Sequence, residues 1–244
     1  MGSRAASGLK NQYFGDINDY RKYGLLRILT GREEIKTAVC WMLTPDDKRG
    51  DGGFIDYLKG PDRWRKHDPD LFDHLQDLVH GPKVRDVRGA ETSAVLPSSR
   101  FAPGVLPDGA MGRVRYFDAF MEVATGCGLV FFDPDNGIEI KSKPYGHKDS
   151  SKYLYWHEIE RFWNAGHSLL IYQHFPRVKR DPFIEGKARQ FMDETGALEI
   201  VSFRTSHVVF FLVPQAGHKD FFRNRSEVVA QRWDSEIRVA YHRV

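Results

Sequence analysis

The run Leu129-Val130-Phe131-Phe132-Asp133-Pro134-Asp135-Asn136-Gly137 constrains this chain more than any other stretch. Four consecutive apolar residues predict a strand covered on both faces, as in a parallel sheet flanked by helices. The strand ends in an acidic turn. In open α/β sheets, ligands bind beyond the carboxyl ends of the strands, where this turn would lie. Asp133 is therefore a candidate site carboxylate. Asp, Asn and Gly are also ordinary turn formers, so the same residue can equally cap the turn.

Around this run the apolar spacing and its breakers predict alternating helices and strands. A helix is expected over Asp16 to Leu29, with Asp16 as N-cap and Asp19 near its positive end. The strand Thr37 to Leu43 runs into an acidic, glycine-rich loop, Thr44 to Gly53. That loop matches neither phosphate-cradling pattern, though its glycines let a backbone approach a ligand closely. Asp68-Pro69 opens a helix that continues through Val79. Residues 83 to 112 are broken by prolines and glycines. Ser93 to Leu96 is strand-like, and the region reads as an insertion facing a substrate or as a surface loop. Gly112 to Phe120 reads as a strand leading into a short helix, with Asp118 at its carboxyl end.

After Leu129 come an aromatic helix, Ser151 to Ala165, and a strand, Ser168 to Tyr172, that ends in Gln173-His174-Phe175-Pro176-Arg177. A helix from Phe183 to Thr195 follows. The strands Leu198 to Phe203 and Val208 to Val213 are separated by four residues, which favours an antiparallel hairpin. A polar helix is expected from Asp220 to Trp233. The alternation predicts one α/β domain over residues 11–244, mostly parallel, with right-handed crossovers and a C-terminal hairpin. Residues 1–10 are small and polar and read as a flexible segment.

Composition narrows the classes. The net charge of +3 permits a polyanionic partner without requiring one. No run approaches the roughly 18 apolar residues of a membrane span, and Met1 to Lys10 lacks the apolar core of a secretory signal. Cys40 and Cys127 lie in or beside strand-like runs and read as buried free thiols in a reducing cytoplasm. Their spacing gives no zinc site, and no His-x-x-x-His or His-Glu-x-x-His pattern occurs.

At this point the chain resembles the class I S-adenosylmethionine-dependent methyltransferases that modify an adenine N6 in large-subunit ribosomal RNA. That family carries an N-terminal pattern close to H-A-G-N-x-x-D-V-x-K-H. Here Tyr13-Phe14-Gly15-Asp16-Ile17-Asn18-Asp19-Tyr20-Arg21-Lys22-Tyr23 keeps Gly15, Asp19 and Lys22 at the same spacing, with tyrosine at both histidine positions. The family's Asp-Pro-Pro-Tyr loop corresponds to Asp133-Pro134-Asp135-Asn136, 15 residues after Asp118. The resemblance implies a Rossmann-like class I methyltransferase sheet and S-adenosylmethionine as cofactor. It implies Gly15, Asp19, Lys22 and Asp118 as cofactor contacts, to which the acidic loop after the first strand adds Asp46. Lys22 would meet the cofactor's carboxylate and Asp118 its adenine amino group. It further implies Asp133, Pro134 and Asn136 around a target amino group, and RNA or DNA as partner. An aromatic residue normally closes the loop and stacks on the flipped base. Asn136 stands there instead, which leaves Phe132, Tyr153 or Phe175 to supply a ring. Pro45-Asp46-Asp47 replaces the usual glycine-rich loop after the first strand.

Other constellations remain open. Asp133 and Asp135 followed by Glu139-Ile140-Lys141 fit half of a metal-dependent nuclease pattern, with Asp46 or Asp118 as the missing acid. His174, with Gln173 and Arg177, is a candidate substrate contact or a hydrogen-bonded strand end. Lys219-Asp220-Phe221-Phe222-Arg223-Asn224-Arg225 interleaves rings with arginines. That pattern suits a noncatalytic nucleic-acid-binding surface or a helix docked on the sheet.

Overall fold

The computed structural model describes residues 14–31, 33–44, 54–81, 90–91 and 95–243. The longer helices among the described residues are α1 (Ile17–Leu29), α2 (Pro69–His80), α3 (Ala110–Ala124), α4 (Trp156–Asn164), α5 (Arg180–Thr195) and α6 (Lys219–Arg232). The strands are β1 (Thr37–Cys40), β2 (Ser99–Phe101), β3 (Leu129–Phe132), β4 (Gly137–Ile138), β5 (Tyr153–Leu154), β6 (Ser168–His174), β7 (Glu199–Arg204), β8 (Val208–Val213) and β9 (Arg238–Arg243). Asp16 and Asp68 cap α1 and α2 through their carboxylates, as their sequence positions predict.

Seven strands form a mixed sheet in the order β2-β1-β3-β6-β8-β7-β9. The links from β2 through β1 and β3 to β6 are parallel, and those from β6 onward are antiparallel. The expected hairpin is present, with β8 inserted between β6 and β7. From β1 the chain moves outward to β2 and returns to β3 on the other side of β1. The loops after β1 and β3 therefore part at one point of the sheet edge.

The four residues of β3 are all buried, with successive side chains on opposite faces. Leu129 and Phe131 join a core with α1, α2 and α6, whereas Val130 and Phe132 join a second core with α3, α4 and α5. The result is three layers, helices on both faces of a sheet. Phe132 meets the rings of Phe117, Phe120 and Phe162 and is closed to any ligand.

Two expectations fail in α3 and β9. Gly112 to Phe120 is helical rather than extended. Its β-favouring Val, Tyr and Phe suggested a strand, but the buried residues Arg113, Phe117, Phe120 and Ala124 follow a helical repeat. Asp118 lies on the outer side of that helix, paired with Arg161 at 2.7 Å. Strand β9 extends the sheet beyond the expected hairpin, and its polar, arginine-rich sequence carried little strand signal. In the stretch 83–112, the strand among the described residues is Ser99–Phe101. Val95 and Leu96 of the expected strand lie in a buried turn, and Ser93 and Ala94 fall outside the described residues.

Candidate active site

A cavity of about 710 Å³ lies at the carboxyl edge of the parallel strands. Its wall combines the N-terminal turn of α1, residues just after β1, the turn after β3 and the end of β6. Asp16, Asp19 and Lys22 come from α1, Trp41 and Thr44 from the β1 side, Asp133 to Asn136 from the β3 turn, and Tyr172 and His174 from β6.

Local hydrogen bonds set these groups in place. Asp16 Oδ1 accepts from the backbone N–H groups of Asn18 and Asp19 at 2.8 and 2.9 Å. Asp19 Oδ2 accepts from the Gly15 N–H at 3.0 Å and from the Tyr23 hydroxyl at 3.3 Å. Gly15 has φ +79, and a Cβ there would meet Val79 at 2.6 Å, so this turn requires glycine. Tyr57 donates to the Gly15 carbonyl at 3.1 Å. Lys22 Nζ then bridges Asp19 and Asp133, at 2.7 Å to each. It lies over the rings of Trp41 and Tyr23 at 5.2 and 5.4 Å.

The β3 turn is anchored from behind. The Asp133 N–H donates to the Cys40 carbonyl at 2.9 Å. The Asn136 N–H donates to the Lys152 carbonyl at 3.0 Å, and the Asn136 carbonyl accepts from Gln173 Nε2 at 3.2 Å. Gln173 Oε1 accepts from the Ile138 N–H at 2.9 Å. Gly137, at φ +108, leaves room for that amide, which a Cβ would strike at 2.4 Å. Thr44 donates to Asp135 at 3.1 Å, which ties the β1 side to the turn.

The electrostatics follow from burial. Burial raises the Asp133 carboxyl above its ordinary range, and the ammonium of Lys22 opposes that rise. Burial works against the Lys22 charge, but Asp133 and Asp19 outweigh it and keep the ammonium well above its usual value. Lys22 is therefore the charged partner of Asp133, and a cofactor carboxylate brought to it would meet two carboxylates already there. Burial and the neighbouring Asp19 push Asp16 up to about 6. The phenols of Tyr23 and Tyr172 are pushed up chiefly by burial.

The structure thus brings together Asp19, Lys22, Asp133, Pro134, Asn136 and His174 around the cavity, with Gly15 shaping the adjoining turn. Asp46 lies outside the described residues. Asp118 is absent from the cavity wall and pairs with Arg161 on the outer face of α3. Arg177 lines a neighbouring groove of about 590 Å³, which shares His174 and His207 with the cavity. The charged groups of that groove are all basic or imidazole: His174, Arg177, Lys179, Arg180 and His207. Burial and the nearby Arg21, Arg180 and His174 lower the His207 pKa. Phe175 belongs to the groove and stacks under Arg180 at 5.2 Å. Tyr153 is in β5 and absent from the cavity wall.

Glu139 is engaged elsewhere, accepting from the Trp156 N–H at the start of α4 at 2.8 Å. No cluster of three metal-ligating side chains occurs among the described residues. The arginine and aromatic pattern of α6 serves packing: Phe222 is buried, Arg223 pairs with Glu199, and Arg225 pairs with Glu34 over the Phe221 ring. Among the described residues, no helix is long and apolar enough to cross a membrane.

Sequence reasoning missed Asn18, Tyr57, Thr44, Phe54, Tyr172 and His207, and treated Asp16 only as a cap. The available signal was position, since Tyr172 precedes the Gln173-His174 strand end and Thr44 follows the β1 run.

No family model and no curated protein matches the sequence. The chain is similar to the crystal structure of protein LPL1258 from Legionella pneumophila str. Philadelphia 1, of family model DUF519. The two share 10% identity, 95% of this chain and 97% of that chain are covered, and the TM-score is 0.44.

Proposed function

We propose that the protein is an S-adenosylmethionine-dependent methyltransferase acting on an amino group of a nucleic-acid base. The observation that carries this reading is the setting of Asp133. It stands at the carboxyl end of β3, beside the point where the chain reverses its course across the sheet, which is where α/β sheets bind ligands. Lys22 occupies Oδ2, and Oδ1 receives no hydrogen bond from the described residues. A buried carboxylate with one fixed and one open oxygen is suited to accept an N–H from an attacking amine.

The cofactor would supply an electrophilic methyl group on a sulfonium sulfur. The chain's own residues position the nucleophile. Asp133 Oδ1 accepts one amino N–H and turns the nitrogen lone pair toward the methyl carbon. Its raised basicity suits it to hold the proton that the nitrogen loses. Lys22 and the anchored Asn136 turn keep that oxygen in one place, and displacement chemistry gains most of its rate from such positioning and electrostatics. The cavity volume is within the range of cofactor sites. The adjoining basic groove supports a polyanionic substrate, with phosphates along Arg177, Lys179 and Arg180 and a base turned past His174 into the cavity.

The test is transfer of labelled methyl from S-adenosylmethionine to total RNA and to single-stranded DNA. The wild type is expected to label at least one, and Asp133→Ala to bind S-adenosylhomocysteine without transferring. Absence of transfer to either polymer, or unchanged turnover in Asp133→Ala, contradicts the reading.

A further inference from the structure

Asp16 is 4% exposed and forms part of the cavity wall. Its Oδ1 is saturated by two N–H groups of α1. Among the described residues, its Oδ2 receives no hydrogen bond and no cation pairs with it. Two residues on, Asn18 Oδ1 is buried without any hydrogen-bond partner. Two acceptors on one helical turn thus stand without donors, and buried polar groups in native proteins nearly always have partners.

The charges around them decide what would complete the turn. Among the described residues of the wall, four carboxylates, Asp16, Asp19, Asp133 and Asp135, face two ammonium groups: Lys22, which already bridges Asp19 and Asp133, and Lys152, which pairs with Asp149. The positive end of α1 adds only about half a charge. The described residues of the wall keep a net negative charge. An anion would also find the first N–H groups of the helix taken, because Asp16 itself occupies them. A ligand cation that donates hydrogen bonds satisfies both needs.

We propose that the first turn of α1 is an ammonium subsite, in which Asp16 Oδ2 accepts from the α-amino group of the methyl donor's amino-acid end. This assignment rests on the methyl-donor reading above. It gives Asp16 a binding role that the sequence pattern, which made it a helix cap, did not disclose. It also reverses the polarity expected of this helix: the amino-acid end is held through its ammonium at Asp16, not through its carboxylate at Lys22.

The test is calorimetric titration with S-adenosylhomocysteine and with its deaminated analogue, which carries hydrogen in place of the amino group. Both are measured on the full chain as wild type and as Asp16→Asn. Asparagine is an equally good helix cap, so the variant keeps the fold. The wild type is expected to prefer the amine by about 10- to 100-fold, the range of a hydrogen bond to a charged group. Asp16→Asn is expected to lose most of that preference while its affinity for the deaminated analogue changes little. Equal wild-type affinity for the two compounds overturns the subsite and leaves nucleoside binding intact. An unchanged preference in Asp16→Asn overturns the assignment to Asp16. Binding of neither compound overturns the methyl-donor reading together with the subsite.

Discussion

Two buried ionic clusters lie on opposite faces of the sheet and differ in how completely they are satisfied. Arg113, fully buried, makes a two-pronged ion pair with Glu158 at 2.9 and 2.8 Å. Its remaining donors reach the carbonyls of Ser150 and Tyr153, and the rings of Phe117, Tyr145 and Tyr155 lie close to the guanidinium. One cation meets one anion with matched geometry. The cluster of Asp16, Asp19, Lys22 and Asp133 has three carboxylates for one lysine, and among the described residues no donor reaches one oxygen of Asp16 and one of Asp133. The first cluster locks the segment between β4 and α4 onto α3. The second leaves exposed to a ligand what the first has closed. Incomplete pairing in a cavity is the mark of a site, whereas burial of charge alone is not.

The largest effect should come from breaking the closed cluster. Arg113→Met strands Glu158 without its cation and is expected to lower stability by about 3–5 kcal/mol. Urea unfolding checks this, and the double variant Arg113→Met, Glu158→Met should recover part of the loss. In the open cluster, Asp133→Ala should lower methyl transfer by about a hundredfold or more, the scale of losing a preorganised polar contact. Single-turnover kinetics measures it, and the fold should suffer far less than in Arg113→Met because Lys22 keeps Asp19.

Asp16→Asn should act in the opposite direction on stability. Folded Asp16 holds its proton up to about pH 6, while the unfolded chain releases it near 3.8. Folding therefore takes up a proton in that window, and the contribution of Asp16 to stability falls as pH rises from about 4 to 6. At pH 7 the variant should exceed the wild type by about 3 kcal/mol, and the difference should shrink to about 0.5 kcal/mol near pH 4. Equal stability of the two proteins at both pH values would show that the Asp16 charge is compensated. The smallest effect belongs to Asp118→Ala, which removes a half-exposed surface pair with Arg161. Its stability change should stay within about 0.5 kcal/mol, with S-adenosylhomocysteine affinity unchanged in the same calorimetric assay.

The contrast also shows what the sequence disclosed. The β3 run, the caps of α1 and α2 and the β7–β8 hairpin were legible because each has a local cause: an apolar run, a side-chain cap, a short turn. The convergence of Lys22 and Asp133 was suggested by a family pattern, yet their direct pairing across 111 positions is a tertiary fact. Asp118 was misplaced because strand-favouring side chains on α3 obscured a helical repeat that packing imposed. β9 was missed because an edge strand needs only one covered face and can be polar. The open oxygen of Asp16 had no local signature, since a capping carboxylate looks the same whether its second oxygen is free or bound.

The central claim is that the cavity between α1 and the Asp133 turn is built for a methyl donor. Thermal unfolding in the presence of S-adenosylmethionine or S-adenosylhomocysteine tests it most directly. At a hundred times Kd, single-site binding stabilises by about 2.7 kcal/mol, which for a chain of this length raises Tm by about 5 to 10 °C. A rise of that size with either compound, and none with adenine alone at the same concentration, is the predicted result. A melting temperature that stays flat with both compounds up to millimolar concentration would contradict the account.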